Sequence, residues 1–308
     1  MIPMSLVGRS LVSITDYSKN EWLAILRLTA KFEKKQPKNL LTGKVVASLF
    51  YEPSTRTRLS FESATQRLGG SVIGFSGTAG TSVDKGESLK DTIRMASRYA
   101  DLIVLRHPQD GSARLAQEFA SVPVINAGDG TNQHPTQTLL DLYSIQKTQK
   151  SLDKLTVAFG GDLKYNRTAL TLIRALASFN TRFIFISPPQ LKIPENLRLL
   201  LEAKNSKFEE TTQLREAIKS SDILYVNRVK KEYFPDILEY ERVKDKFIVT
   251  KSLLSGVKKN FKLLHALPRV NEIAEDVDTD PHAYYFEQAY NSMLTRQALM
   301  SLILGVVK

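Results

Sequence analysis

Residues 45–57 read VVASLFYEPSTRT. The run 45–50 is apolar without strict alternation, which suits a strand buried on both faces, as in a parallel sheet. Glu52-Pro53 then turns the chain, and Ser54-Thr55-Arg56-Thr57 opens a helix expected over 55–68. The same unit recurs in both directions along the chain. Apolar runs at 102–105, 122–125, 155–159, 183–186, 223–226 and 247–249 read as further strands. Helical spacing covers 87–99, 135–146, 167–179 and 214–219, and 284–306 reads as one long closing helix. Upstream, Ser18-Lys19-Asn20-Glu21 is a capping-box pattern opening an amphipathic helix through Phe32. Strand and helix in alternation predict an α/β architecture with right-handed crossovers.

The chain has 308 residues. Single cores stop growing near about 250–300 residues, so two domains are expected. The stretch 148–154 is polar, lacks apolar periodicity and follows one complete α/β set, which makes it the expected boundary. Segment 76–85, SGTAGTSVDK, is small and polar and reads as a mobile loop. With 42% hydrophobic and 24% charged residues the composition excludes wholesale disorder and fibrous folds. There is no cysteine, hence no disulfide, thiolate metal site or cysteine nucleophile. His107, His134, His265 and His282 show no metal-ligand spacing, so no metal is expected.

Lys+Arg minus Asp+Glu is 43 − 32 = +11. That field favours anionic partners and equally serves solubility. The basic residues are spread out, with short clusters at Lys34-Lys35, Lys230-Lys231 and Lys258-Lys259. Nucleic acid is therefore not expected as a partner. The longest uncharged apolar stretch, 298–307, is well short of the ~20 residues that span a bilayer. The N-terminus lacks a charged start followed by an apolar signal core, so a cytoplasmic protein without membrane attachment is expected.

Candidate chemistry collects where strands end. Ser54, Thr55, Arg56 and Thr57 bring three hydroxyls and a guanidinium to a helix N-terminus, a phosphate cradle in donor content. An ordinary N-cap is the alternative, and four consecutive donor side chains weigh against it. Walker-loop spacing is missing. Arg106 ends the strand 102–105, where ligands gather in open α/β sheets, though a lone strand-end arginine is often just a surface charge. Gly128-Asp129-Gly130 reads as a turn before His134-Pro135-Thr136-Gln137. It puts His134 at a helix N-cap, able to donate to an oxyanion or merely to cap, and Gln137 in the first turn. In the second half Gly160-Gly161-Asp162 leads to Arg167-Thr168, and Arg228 follows the strand 223–226, with Glu232 as an orienting partner. Two strand-end arginines suit a ligand with two carboxylates, and structural salt bridges are the open alternative. The dinucleotide fingerprint is missing. Chemistry by positioning and electrostatic stabilisation is what remains.

These residues resemble the aspartate carbamoyltransferases over nearly the whole chain. The likeness is carried by FYEPSTRTRLSFE (50–62), KGESLKDT (85–92), RHPQDG (106–111), NAGDGTNQHPTQTLLDL (126–142), GDLKYNRT (161–168), HALPR (265–269) and TDPHAYYFEQA (279–289). Ornithine carbamoyltransferases typically carry Cys in the H-C-L-P motif, and this chain has none. The resemblance implies two Rossmann-like parallel-sheet domains with the active site in the cleft between them. It implies a carbamoyl phosphate-binding domain, 1–147 joined by the terminal helix 288–308, and an aspartate-binding domain, 148–287. The implied reaction makes N-carbamoyl-L-aspartate and phosphate from carbamoyl phosphate and L-aspartate, the committed step of pyrimidine synthesis, without cofactor.

The resemblance also implies roles. Ser54, Thr55, Arg56 and Thr57 hold phosphate. Thr57, Arg106 and His134 face the carbonyl oxygen, and Gln137 and the Leu267 backbone hold the carbamoyl amide. Arg167, Thr168 and Arg228 bind aspartate, and Lys230, a departure from the family, is expected to add positive charge to that site. Ser82 and Lys85 act in the neighbouring chain's site of a homotrimer. Some relatives pair two trimers with zinc-binding regulatory chains. Segments 107–114, and Lys164, Tyr165 and Glu239, look retained for such contacts, and retention in a plain trimer is the alternative.

Four departures touch the aspartate side. Lys230 stands where the family usually has glutamine, Tyr233 where an arginine is common, and Ala266 replaces proline in HPLPR. Ser82 to Lys85 is one residue shorter than in relatives and holds Asp84. That arginine helps close the family's domains by pairing with the acid that is here Glu52, so Arg167 is expected to hold Glu52 without Tyr233. A transferase for another amine would fit Lys230 and Tyr233. A catalytically silent subunit should have lost a phosphate or oxyanion residue, and none is lost.

Overall fold

The structure is a computed structural model that describes residues 6–229, 234, 236–244 and 247–307. The chain divides into two compact units. The first extends to Tyr143 and resumes at Tyr290, and the second is Ser144–Ala289.

The first unit begins with α1 (Lys19–Lys34), whose capping box is complete: the Glu21 N–H donates to Ser18 Oγ and the Ser18 N–H to the Glu21 carboxylate at 2.7 Å. There follow β1 (Val45–Phe50), α2 (Thr55–Arg67), β2 (Ser71–Ser76), α3 (Leu89–Tyr99), β3 (Leu102–His107), α4 (Ser112–Phe119), β4 (Val124–Asp129) and α5 (Pro135–Gln149). The four strands are parallel in the order β2-β1-β3-β4. Leu11 adds one parallel bridge to Ile125 outside β4. Strand residues Ala47, Leu49, Ile103 and Leu105 pack with Ile93 and Ala96 of α3. Each of the leucines and isoleucines, fully buried, contributes about 1.5–3 kcal/mol.

The second unit holds β5 (Thr156–Gly160), α6 (Arg167–Leu176), β6 (Arg182–Ile186), α7 (Glu195–Ala203), β7 (Phe208–Thr211), α8 (Leu214–Ser220), β8 (Ile223–Val226), α9 (Ile237–Val243) and β9 (Lys262–His265). Its five strands are also all parallel, in the order β7-β6-β5-β8-β9. Ala158, Ile184, Leu224 and Leu263 from the sheet meet Ile218 and Phe261 in one core. Helix α10 (Tyr285–Ile303) closes the chain, and the division between units falls inside α5 and inside α10.

In both sheets the strand order reverses once. The reversal lies between β1 and β3 in the first and between β5 and β8 in the second. Helices leaving neighbouring strands on opposite sides open a crevice beyond the carboxyl ends there, the usual ligand position in such sheets.

Several expectations need correction. The strand expected at 122–125 is shifted to Val124–Asp129, so Gly128-Asp129 are strand, not turn. A bulge between Leu105 and His107 brings His107 opposite Asp129 and extends the pairing. The run 247–249 is no strand: Val249 makes one bridge, to Ile273, and the sheet's last strand is β9. Segment 76–85, expected as a loop, holds a short ordered turn. Ser82–Lys85 forms a 3-10 turn capped by Thr81, and the Gly80 N–H donates to Asp84 at 2.8 Å. The helix expected over 167–179 ends at Leu176, and α5 runs on to Gln149 into the polar stretch.

Candidate active site

The register of the first sheet sets Phe50 opposite Arg106, and the Tyr51 N–H donates to the Arg106 carbonyl at 2.9 Å. The residues that follow β1 and the last turn of β3 therefore share the reversal point. Ser54 occupies the N-cap of α2 with extended backbone, yet its side chain makes no cap bond. The serines before α1 and α3 do cap their helices. The ordinary-cap reading of Ser54 thus fails, and its hydroxyl is not spent on the helix. Thr55 and Arg56 are exposed and Thr57 is buried.

Arg106 is held by its ends. One Nη donates to the Ala127 carbonyl at 3.2 Å, the other pairs with Glu52 at 3.2 Å, and Nε is buried without a partner. Burial pulls its pKa down, and the Glu52 charge and bond only partly offset that. Glu52 is thus paired within its own unit.

His134 and Gln137 open α5 just beyond β4. His134 is 5% exposed, with Thr136 Oγ1 3.3 Å from its Nδ1. Gln137 donates its amide to Asp141 at 2.9 Å, which fixes which way that amide faces. The loop before them hangs on two buried polar residues. Asn126 donates to the Val12 carbonyl and to Asp129, and Asp129 accepts from Gly111, Asn132 and Gln133 N–H groups. A buried carboxylate with so many donors fastens the loop to the sheet. Gly130 is required beside it: φ is +48°, and a Cβ would overlap Asp110.

In the second sheet Gly161 sits at the reversal point with φ +101°, and a Cβ there would overlap the Asn227 carbonyl of the neighbouring strand end. The Asn227 N–H donates to the Gly160 carbonyl at 2.8 Å, which ties the two strand ends together. Asn166 caps α6, and Thr168 donates to its Oδ1 at 2.6 Å. That leaves Arg167 at the first helical position and Arg228 two residues past β8, both part-buried. Lys230, Glu232 and Tyr233 lie outside the described residues.

Beyond β9 a second network shapes the Leu267 segment. The Leu267 N–H donates to His265 Nδ1 at 2.7 Å, so the ring carries its proton on Nε2 and donates that to Glu272 at 2.7 Å. The other Glu272 oxygen accepts from the Val270 and Asn271 N–H groups, each at 3.1 Å. Burial pushes the Glu272 carboxyl up, and the hydrogen bonds from His265 and the backbone N–H groups outweigh that and hold it below its ordinary value. Leu267 takes a left-handed φ of 55° inside this frame.

The structure thus brings Ser54–Thr57 and Arg106 to one reversal point, with His134 and Gln137 beyond the next strand. It brings Arg167, Thr168 and Arg228 to the other. Ser82 and Lys85 are exposed on their own turn. Among the described residues neither side chain bonds to the first set. Asp141, Asp129 and Glu272, which hydrogen-bond at these positions, were missed, as was Arg296. The signal for Asp129 was an acid inside an otherwise buried strand.

The geometry agrees with comparison to known proteins. Residues 9–147 match the family model of the aspartate/ornithine carbamoyltransferase carbamoyl-P binding domain, and 153–303 that of its Asp/Orn binding domain. The chain is 53% identical over 300 residues to the aspartate carbamoyltransferase catalytic subunit of Bacteroides fragilis, covering 97% of each. It is 50% identical to that of Methanosarcina barkeri over 99% of this chain and 100% of that one. Among solved structures the M. jannaschii catalytic subunit superposes with a TM-score of 0.91 at 49% identity, covering 96% of this chain and 98% of that one. The Trypanosoma cruzi enzyme in complex with N-(phosphonacetyl)-L-aspartic acid superposes with a TM-score of 0.92 at 35% identity, covering 98% and 97%. With both family models matched in order and relatives half identical from end to end, the chain belongs to the aspartate carbamoyltransferase family.

Proposed function

We propose that the chain transfers the carbamoyl group of carbamoyl phosphate to the amine of L-aspartate, the committed step of pyrimidine synthesis. The observation that carries this reading is the uncommitted donor set of Ser54–Thr57 beside Arg106 at the first sheet's reversal point. Such a set binds phosphate by helix dipole, N–H groups and guanidinium together.

Ser54, Thr55, Arg56 and Thr57 take the phosphate. Arg106, His134 and Thr57 donate to the carbonyl oxygen. Gln137 and the Leu267 backbone orient the carbamoyl amide. Arg167, Thr168 and Arg228 take the aspartate carboxylates, with Lys230 adding charge. When the amine attacks, negative charge grows on the carbonyl oxygen, and fixed donors stabilise it more than they do the ground state. The C–O bond to phosphate breaks, and the departing phosphate accepts the amine proton, so no protein base is required. Losing one oxyanion donor should cost on the order of 10²–10³ in turnover.

The reading extends to a cytoplasmic homotrimer in which Ser82 and Lys85 complete the neighbouring chain's site. The edge strand β2 supports it: both faces are exposed or half-exposed, Ile73 by 40%, and such edges call for cover. No helix among the described residues is long and apolar enough to cross a membrane. Pairing of trimers through Lys164, Tyr165 and Glu239, with zinc-binding regulatory chains against residues 107–114, is the larger assembly that fits this reading.

The test is carbamoyl transfer by the purified chain at saturating carbamoyl phosphate, with aspartate titrated against other amines. Saturable carbamoyl-aspartate formation, lost in Arg56→Ala and His134→Ala, is expected. Carbamoyl phosphate binding without aspartate turnover would overturn the substrate assignment. Mixing inactive Lys85→Ala with inactive Arg56→Ala chains should restore part of the activity if sites are shared between chains.

A further inference from the structure

Helix α10 carries a positive charge, Arg296, with no acid against it among the described residues. Arg296 is 2% exposed. One Nη donates to the Thr57 carbonyl at 3.3 Å, and the guanidinium lies 4.4 Å from the centre of the Phe61 ring. Its Nε is buried and bonds nothing. Among the described residues no carboxylate pairs with it. The contacts from α2 are thus a carbonyl and an aromatic face. Burial, and after it the charge of a second cation, Arg106 of β3, bring the Arg296 pKa down to about 9. Among the described residues Arg106 in turn pairs with one acid, Glu52, whose side chain is 41% exposed.

A guanidinium stripped of water without an anion is destabilising, and an apolar side chain against Phe61 would avoid that cost. Arg296 and Arg106 bring two positive charges under one helix start, with the half-exposed Glu52 carboxylate to offset one of them. A bound phosphate dianion supplies the missing charge. The Thr57 carbonyl is where Arg296 meets the proposed phosphate cradle.

We propose that Arg296 is a positioning residue for the phosphate of carbamoyl phosphate: it fixes the first turn of α2 through the Thr57 carbonyl and adds an uncompensated positive charge beneath the cradle, without touching the ligand. This rests on the assignment of Ser54–Thr57 and Arg106 to phosphate. It separates two quantities that a structural prop would keep together, namely the stability of the free chain and its affinity for a dianion.

The experiment measures inorganic phosphate affinity by calorimetry at about pH 6 and about pH 8, and urea unfolding in phosphate-free buffer, for the full chain, Arg296→Met, Arg296→Lys and Arg56→Ala. Arg296→Met should lose about tenfold or more in phosphate affinity, the effect of one charge acting through a partly desolvated site. The loss should grow from pH 6 to pH 8 as phosphate gains its second charge. Its resistance to urea should match or exceed the parent's. Arg296→Lys, which keeps the charge, should stay within about threefold of the parent in phosphate affinity, and it carries the test if the Met variant fails to fold. A Met variant that binds phosphate within twofold of the parent, or loses affinity equally at both pH values, overturns the proposal. So does a Lys variant as weak as Arg56→Ala. If Arg56→Ala itself binds phosphate normally, the phosphate assignment falls, and this proposal with it.

Discussion

Replacing Glu272 by Gln removes one acceptor from a site that needs two. In the parent, one carboxylate oxygen takes the His265 proton at 2.7 Å and the other takes two N–H groups at 3.1 Å. A glutamine can turn its oxygen to only one of these. Facing it to Val270 and Asn271 sets an NH₂ against the His265 Nε2–H. Moving the ring proton to Nδ1 relieves that clash and creates another, against the Leu267 N–H. Either way at least one bond to a formerly charged acceptor is lost inside the protein, about 1.5–3 kcal/mol. The expected loss of unfolding free energy, measured by urea titration, is therefore about 2–3 kcal/mol. The Leu267 backbone moves with this frame, so kcat/KM for carbamoyl phosphate should fall about tenfold to a hundredfold, as small misplacements near reacting atoms do. The native carboxyl titrates below its ordinary value, so its contribution is present above that ordinary value near 4.5 and is lost as pH falls through the lower, folded one. Part of the parent's acid sensitivity should be missing from Glu272→Gln. A variant that unfolds at the parent's urea midpoint and turns over normally would refute the claim that this network sets the Leu267 segment.

Three other outcomes follow from the geometry. Ser54→Ala should change stability by less than about 0.5 kcal/mol, because no cap bond is lost where a capping serine would give about 1, while calorimetry should show weaker phosphate binding. Gly161→Ala puts a Cβ at φ +101° against the Asn227 carbonyl. It should cost about 1–3 kcal/mol in urea unfolding and raise the KM for aspartate more than that for carbamoyl phosphate, since Arg228 follows directly. In Asp222, burial raises the carboxyl pKa, but the Thr156 N–H, Lys258 and Asn260 hold it below its ordinary value. Its stabilisation is present above about pH 4 and lost on acidification, so Asp222→Asn should flatten the dependence of the urea midpoint on pH below about pH 4.

The central strands were legible because both faces are covered. β1, β3, β5, β6 and β8 are buried along most of their length, and their apolar runs appear in the sequence. Three of the outer strands, β2, β7 and β9, were not. β2, SVIGFS, is exposed or half-exposed throughout; β7, FEET, is mostly polar; β9 presents two leucines between Lys262 and His265. β2 and β7 have one partner and little to cover them, so their sequences carry little periodicity, and β9 is buried but only four residues long.

The site was legible for a related reason. Residues at strand ends of a parallel sheet converge whatever lies between them, so Ser54, Arg106, Arg167 and Arg228 could be read one motif at a time. What holds them could not. Arg296 meets Thr57 across 239 positions of sequence. It lies in a helix whose buried residues include Gln288, Asn291, Thr295, Gln297 and Ser301 as well as leucines. From residue 291 to 303 the helix is buried all round and gives no polar face to read, so a buried cation there looks like any arginine of a solvated helix. Its role depends on which acids are missing around it, and that is a property of the fold alone. The departures at Lys230 and Tyr233 are the converse. They stand out in the sequence, and their weight depends on how much the carboxylate set of Arg167 and Arg228 already supplies, which the aspartate titration measures directly.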